Sequence, residues 1–231
     1  ADAGEEKTMG TLRRVFGITS MSPVTETTSK PEGIIKVALE LSKNLTKDKS
    51  FGIRCKRTGN HDYSSQQLAA QVGDAVNNAT GASVNLENPD FEISLDVRDK
   101  KAYIFTERVR CAGGMPLGTQ GIVIARICNE NDLLAAWLLM KRGAEAIAAG
   151  NAKYFEILEK WGLNHSIKVE MPSYGELEKL ALENNADAIV VGEKFGELKS
   201  KQKETALPIL RPLVGMGDEW IQRKISSIKS Q

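Results

Sequence analysis

Apolar positions along the chain change rhythm several times. Ile34, Ile35, Ala38, Leu41 and Leu45 recur at helical spacing and predict an amphipathic helix over residues 34–45. Residues 51–56 alternate as a half-buried strand does, with Ile53 and Cys55 pointing one way and Arg54 and Lys56 the other. Ser64 or Ser65 can cap a helix whose Leu68, Val72 and Val76 form one stripe, and Gly81 ends it. Ile93, Leu95 and Val97 alternate with Ser94, Asp96 and Arg98. A turn at Asp99-Lys100-Lys101 then sends residues 103–110 back as a hairpin partner.

From Gly121 strand and helix alternate. Residues 122–127 form an apolar strand interrupted only by Arg126, and a helix through Leu133, Ala136, Trp137 and Met140 ends near Gly143. Residues 154–161 read as helical. Ser173 and Glu176 make a capping box for a helix with Leu177, Leu180 and Ala181 inward, and residues 188–191 read as a buried parallel strand. Alternating βα units imply a small doubly wound sheet, which binds ligands beyond the carboxyl ends of its strands. At the other end of the chain, Leu12, Val15 and Phe16 predict a short helix over residues 9–16, broken by glycine, serine and proline in residues 17–23. That piece has too few apolar groups to fold alone and reads as the close of a domain that starts earlier. Trp137, Trp161 and Trp220 stand among apolar residues at helical spacing and read as core.

Composition excludes more than it assigns. The 231 residues are 41% hydrophobic and 26% charged, ordinary for a globular protein. No apolar run approaches the roughly 18 residues of a membrane span, and no signal-peptide core opens the chain, so a cytoplasmic protein without a membrane partner is expected. Cys55, Cys111 and Cys128 form no CxxC pair, and the only histidines are His61 and His165. A disulfide framework, a metal site and a histidine-based triad are therefore not expected. With 31 basic against 30 acidic side chains, any nucleic-acid surface must come from local clustering.

Several segments resemble one family in order. Phe51-Gly-Ile-Arg-Cys-Lys-Arg57, Tyr63-Ser-Ser65, Gly81, Asn88-Pro89-Asp90 and residues 103–108 are similar to THUMP domains. Residues 113–121 resemble the linker from THUMP to the PP-loop domain of the ThiI family, the tRNA 4-thiouridine synthetases. Residues 138–143, Gly192-Glu193 with Gly196, and Arg211-Pro-Leu-Val-Gly-Met216 are also similar to that family. Residues 15–18 with Ser22-Pro23 resemble the end of its N-terminal ferredoxin-like domain. The resemblance implies an α/β chain in three parts. Residues 1–45 would be a partial ferredoxin-like segment, 46–120 an α+β THUMP domain, and 121–231 a small doubly wound PP-loop-like domain.

It also implies a tRNA partner, gripped through Arg54, Lys56, Arg57, Arg98, Lys100, Lys101, Arg108 and Arg110. Guanidinium groups suit phosphates because they donate paired hydrogen bonds in one plane. The lysines at 194, 199, 201 and 203 read either as a further phosphate patch or as a solvated face. A PP-loop needs glycines after its first strand, so that backbone N–H groups close around a pyrophosphate at a helix N-terminus. Here that stretch is Cys128-Asn-Glu-Asn-Asp132, with Asp132 or Asn131 at the motif's aspartate. The glycines are replaced, and Glu130 and Asp132 place carboxylates where polyphosphate would sit. Asn129, Glu130, Asp132, Gly192 and Glu193 therefore read as a degenerate nucleotide site, with no catalytic residue and no cofactor expected. Cys128 fits an ordinary thiol better than a persulfide carrier. The principal expectation is a tRNA-binding protein that has lost thiolation chemistry and either serves a partner enzyme or forms a homodimer through its C-terminal domain. The alternative is an ATP- and magnesium-dependent tRNA sulfurtransferase.

Overall fold

The computed structural model describes residues 3–197 and 205–231. The chain divides into two compact units, Met21–Val109 and a second one formed by Ala1–Ser20 with Arg110–Gln231. Helix α1 (Ala3–Leu12) opens the second unit.

Met21–Val109 is built on a five-stranded mixed sheet in the order β1-β5-β4-β2-β3. Its strands are β1 (Thr25–Thr28), β2 (Ser50–Thr58), β3 (Ser83–Val84), β4 (Phe91–Arg98) and β5 (Lys101–Phe105). β2 and β4 run parallel, with Phe51 beside Phe91 through to Thr58 beside Arg98. β5 returns antiparallel to β4 through the tight turn Asp99-Lys100. Asp99 takes a left-handed φ of 48°, a conformation aspartate tolerates better than most residues. Helices α2 (Pro31–Leu41) and α3 (Ser65–Thr80) cover one face. Ile53, Ile93, Leu95 and Val97 are buried there with Ile34, Ala38, Leu68, Val72 and Val76. Ser64, not Ser65, caps α3 through a reciprocal box with Gln67, and Gly81 ends it at φ 73°.

The second unit carries five parallel strands in the order β8-β7-β6-β9-β10. These are β6 (Ile122–Ile127), β7 (Glu145–Gly150), β8 (His165–Lys168), β9 (Ala188–Val190) and β10 (Ile209–Leu210). Helices α4 (Glu130–Lys141), α5 (Phe155–Glu159), α6 (Tyr174–Glu183) and α7 (Asp218–Lys229) complete it. Val123, Ala125 and Ile127 point into the core that holds Leu133, Trp137, Ile221 and Ile225. Ile124, between them, points into the opposite core with Leu177 and Ala181 of α6. The sheet is thus covered on both faces, which explains why β6 is apolar throughout rather than alternating.

Several boundaries differ from the sequence expectation for physical reasons. The units divide at 20/21 and 109/110 rather than at 45/46 and 120/121, because Ile34 and Ala38 bury themselves under the mixed sheet while Phe16 joins the parallel one. The first helix stops at Leu12, and Phe16 bridges to Gly113 in extended form. α2 ends at Leu41, where buried Ser42 turns its hydroxyl back to the Ala38 carbonyl at 2.9 Å. β7 carries the alanine-rich run Ala146 to Ala149, which lacks the branched residues that announce a strand. Trp220 is 37% exposed, not core.

Phe16 stacks on Trp161 at 5.7 Å between centroids and meets Trp137 edge-on at 5.6 Å. Phe16→Ala should therefore lower the stability of this unit by about 3–5 kcal/mol, read from the urea midpoint followed by tryptophan emission; a loss under about 1 kcal/mol would contradict this packing.

Candidate functional site

Two features can do chemistry, one in each unit. The first is the open face of the mixed sheet, opposite α2 and α3. Alternation puts Arg54 and Lys56 of β2 on that face, beside Ser94 and Asp96 of β4, with Arg98 and Lys101 further along. Three of these cations are already engaged. Arg54 pairs with Glu92 at 3.2 Å, Arg98 with Asp96 at 2.7 Å and Lys101 with Glu26 at 2.7 Å. Arg57 lies on the other face, giving one hydrogen bond to the Gly59 carbonyl at 2.9 Å and facing His61 Nδ1 at 3.2 Å. Arg110 belongs to the second unit. Lys56, Lys100 and Arg108 remain exposed without a carboxylate partner among the described residues, Arg108 lying 5.9 Å over the Phe105 ring. The open face also carries half-buried Tyr103 and Phe105, which sequence reasoning took only as strand residues. Their alternation with Ala102 and Ile104 was the available signal.

The second feature lies where β6 and β9 are neighbours although their connections run in opposite directions, the topological switch point of the parallel sheet. Asn129, Glu130, Asp132, Gly192 and Glu193 all come to this end of the strands. Asp132 is buried and its carboxylate accepts the Gly192 N–H at 2.7 Å and the Cys128 N–H at 3.0 Å. The Asn129 side chain caps the Asp132 N–H at 3.0 Å. A Cβ on Gly192 would stand 2.3 Å from the backbone of Asn131 and Asp132, so only glycine lets β9 approach α4 this closely. Glu130 turns away to pair with Lys229.

Arg126, the one polar interruption of β6, sits 3.4 Å from Asp132 and 3.6 Å from Glu193. Arg211 holds Glu193 at 2.9 Å, and the Tyr174 hydroxyl donates to the same carboxylate. Burial raises the Glu193 carboxyl pKa, but the Tyr174 hydrogen bond and the two arginines outweigh it and hold the group below its usual range. Burial, with Glu193 as acceptor, pushes the Tyr174 phenol up. Burial and then Asp132 push the Cys128 thiol up, away from thiolate. Two arginines thus face two carboxylates, leaving a crevice without net charge.

ATP is the cofactor the sequence resemblance implies, and the start of α4 is only partly open to its polyphosphate. A phosphate needs free N–H groups at the helix N-terminus. Here the Asn129 side chain already accepts the N–H of Asp132, while Asp132 accepts those of Cys128 before the helix and Gly192 beyond β9. Lys194 pairs with Asp218 at 2.6 Å, and the lysines at 199, 201 and 203 lie outside the described residues. Among the described residues no cluster of three His, Cys, Asp or Glu could hold a metal, and no helix is long and apolar enough to cross a membrane.

The mixed sheet with two helices on one face, joined in one chain to a parallel α/β unit, defines a THUMP-containing α/β protein, and residues 31–107 match the THUMP domain model. The chain is 34% identical to a probable tRNA sulfurtransferase of Methanobrevibacter smithii, over 89% of this chain and 68% of that protein. It is 30% identical to the tRNA sulfurtransferase of Thermoplasma acidophilum, over 90% of this chain and 53% of that one. The crystal structure of PH1313 from Pyrococcus horikoshii superposes with a TM-score of 0.83 at 27% identity, covering 96% of this chain and 80% of that one. A 4-thiouridine synthetase in complex with RNA and ATP shares the fold, with a TM-score of 0.79 at 22% identity over 94% of this chain and 70% of that one. The chain belongs to the tRNA sulfurtransferase, or ThiI-like, family.

Because the Glu193 carboxyl is held below its unfolded value, its contacts stabilise the fold above the unfolded pKa and are lost as pH falls through the folded one. Glu193→Gln should therefore cost stability near neutral pH, with the gap to wild type closing below about pH 4 in urea titrations. A gap that stays constant with pH would show that Glu193 is not held ionised by these partners.

Proposed function

We propose that this chain serves the ATP-dependent thiolation of transfer RNA in the cytoplasm, with tRNA as its macromolecular substrate. The observation that carries this reading is the likeness to proteins named tRNA sulfurtransferase along about nine-tenths of the chain. Those names favour a sulfurtransferase more directly than a protein that only holds RNA. The chain spans 68% of one relative and 53% of the other, so the whole reaction belongs to the proposal rather than to the likeness.

The RNA grip is assigned to the open face of the mixed sheet. Lys56, Lys100 and Arg108 are free to meet phosphates, and Arg54, Arg98 and Lys101 can exchange a carboxylate partner for one. Exposed ion pairs of this kind are weak, so the exchange costs little. Arg57 is held on the helix side of the sheet and contributes less.

A second reading is favoured by one specific observation. Asp132 holds the Cys128 and Gly192 N–H groups at the switch point, which suits a chain that holds tRNA while another chain supplies the nucleotide step. A paired carrier could be a second copy joined through the parallel α/β unit.

Incubation of the purified chain with unmodified tRNA, magnesium ATP and a sulfide donor separates the two. Thiouridine detected by mass spectrometry supports catalysis by the chain itself; tRNA binding without product supports the holding role. Lys56→Ala with Lys100→Ala should weaken tRNA binding by about tenfold in filter binding at low salt. Unchanged affinity would remove the open face as the grip.

A further inference from the structure

Away from the crevice, α4 and α7 frame a pocket of about 490 Å³ beside Gly114 and Met115. Trp137 and Lys141 are four residues apart on α4, as are Trp220 and Lys224 on α7, so each pair shares a helix face. The Lys224 ammonium lies 4.4 Å from the centroid of the Trp137 ring and that of Lys141 5.3 Å. Exposed Arg142 completes the rim. No acidic residue lines the pocket, and none of these three cations has a carboxylate partner among the described residues.

The arrangement is under electrostatic tension. Burial and then Lys141 push the Lys224 ammonium below the usual lysine range. The indole face eases this only in part, since a cation–π contact is weaker than a buried ion pair. An incoming anion would relieve it. One further observation fits a ligand with an aromatic part. Trp220 keeps 37% of its surface exposed at the pocket mouth. Clustered cations beside an exposed indole are what an unpaired nucleotide requires, with phosphate on the cations and base on the ring. The volume lies within the roughly 300–1,000 Å³ usual for small-ligand sites.

We propose that this pocket binds one unpaired nucleotide of an RNA strand, with Lys141, Arg142 and Lys224 at its phosphate and Trp220 against its base. The proposal rests on the reading that the chain works on tRNA, and places an RNA contact in the parallel unit as well as on the mixed sheet. Neither cations nor tryptophan belong to the crevice built by Asp132 and Glu193.

The test uses the full chain and a fluorescein-labelled single-stranded RNA hexamer, followed by anisotropy at low salt. Wild type should bind the hexamer. Trp220→Ala should weaken binding about tenfold, and Arg142→Ala or Lys224→Ala should lower the slope of log affinity against log salt by about 0.7. Trp220 and Arg142 are exposed, so their variants keep the test valid if Lys224→Ala fails to fold. Hexamer affinity indifferent to Trp220→Ala and Arg142→Ala overturns the pocket even if tRNA still binds. Uridine monophosphate binding as tightly as the hexamer would make it a free-nucleotide site and also overturn it. Absence of any tRNA binding by wild type would instead overturn the reading beneath it.

Discussion

The parallel register of β2 on β4 is the constraint on which the open face of the mixed sheet depends. Phe51 stands beside Phe91, and each later residue keeps that phase to Thr58 beside Arg98. Odd-numbered positions on both strands are therefore committed to the helices, and even-numbered ones to the open face. A slip of β2 by one residue would turn Ile53 outward and bury Arg54 and Lys56, at a cost no sheet of this size could meet. The same phase decides which cations can meet a ligand. It sends Lys56 out, turns Arg57 toward His61, and sets Glu92 and Asp96 among the arginines they neutralise.

In the parallel unit the corresponding constraint is one buried carboxylate. Asp132 ties the end of β6 to the start of α4 and to Gly192 beyond β9. A buried charge needs such partners, and two N–H groups with Arg126 provide them. The N–H groups of Cys128 and Gly192 are thus committed to the fold itself.

Most of the fold was legible from residue spacing. The helix starting at Ser65 was marked by a capping serine, that starting at Tyr174 by its capping box, and β6 by an apolar run interrupted only by Arg126. β7 was not legible, because alanines carry no strand preference and only the flanking βα rhythm betrays it. Phe16 was visible as apolar but not as core, since its partners Trp137 and Trp161 lie far along the chain. The site was legible in kind and less so in detail. The basic strands stand out in sequence, yet the acids that neutralise Arg54 and Lys101 come from strands 38 and 75 positions away. No local window could show which cations stay free. Arg126 and Arg211 went unassigned because Glu193, the carboxylate both face, meets them only when β6, β9 and β10 align.

The central claim is that the chain grips tRNA by phosphate contacts from locally unpaired cations, despite a net charge of only +1. The slope of log affinity for tRNA against log salt concentration tests it most directly. Counterion release from at least three phosphates predicts a slope of about −2 or steeper. A flat dependence, or no binding at low salt, would contradict it.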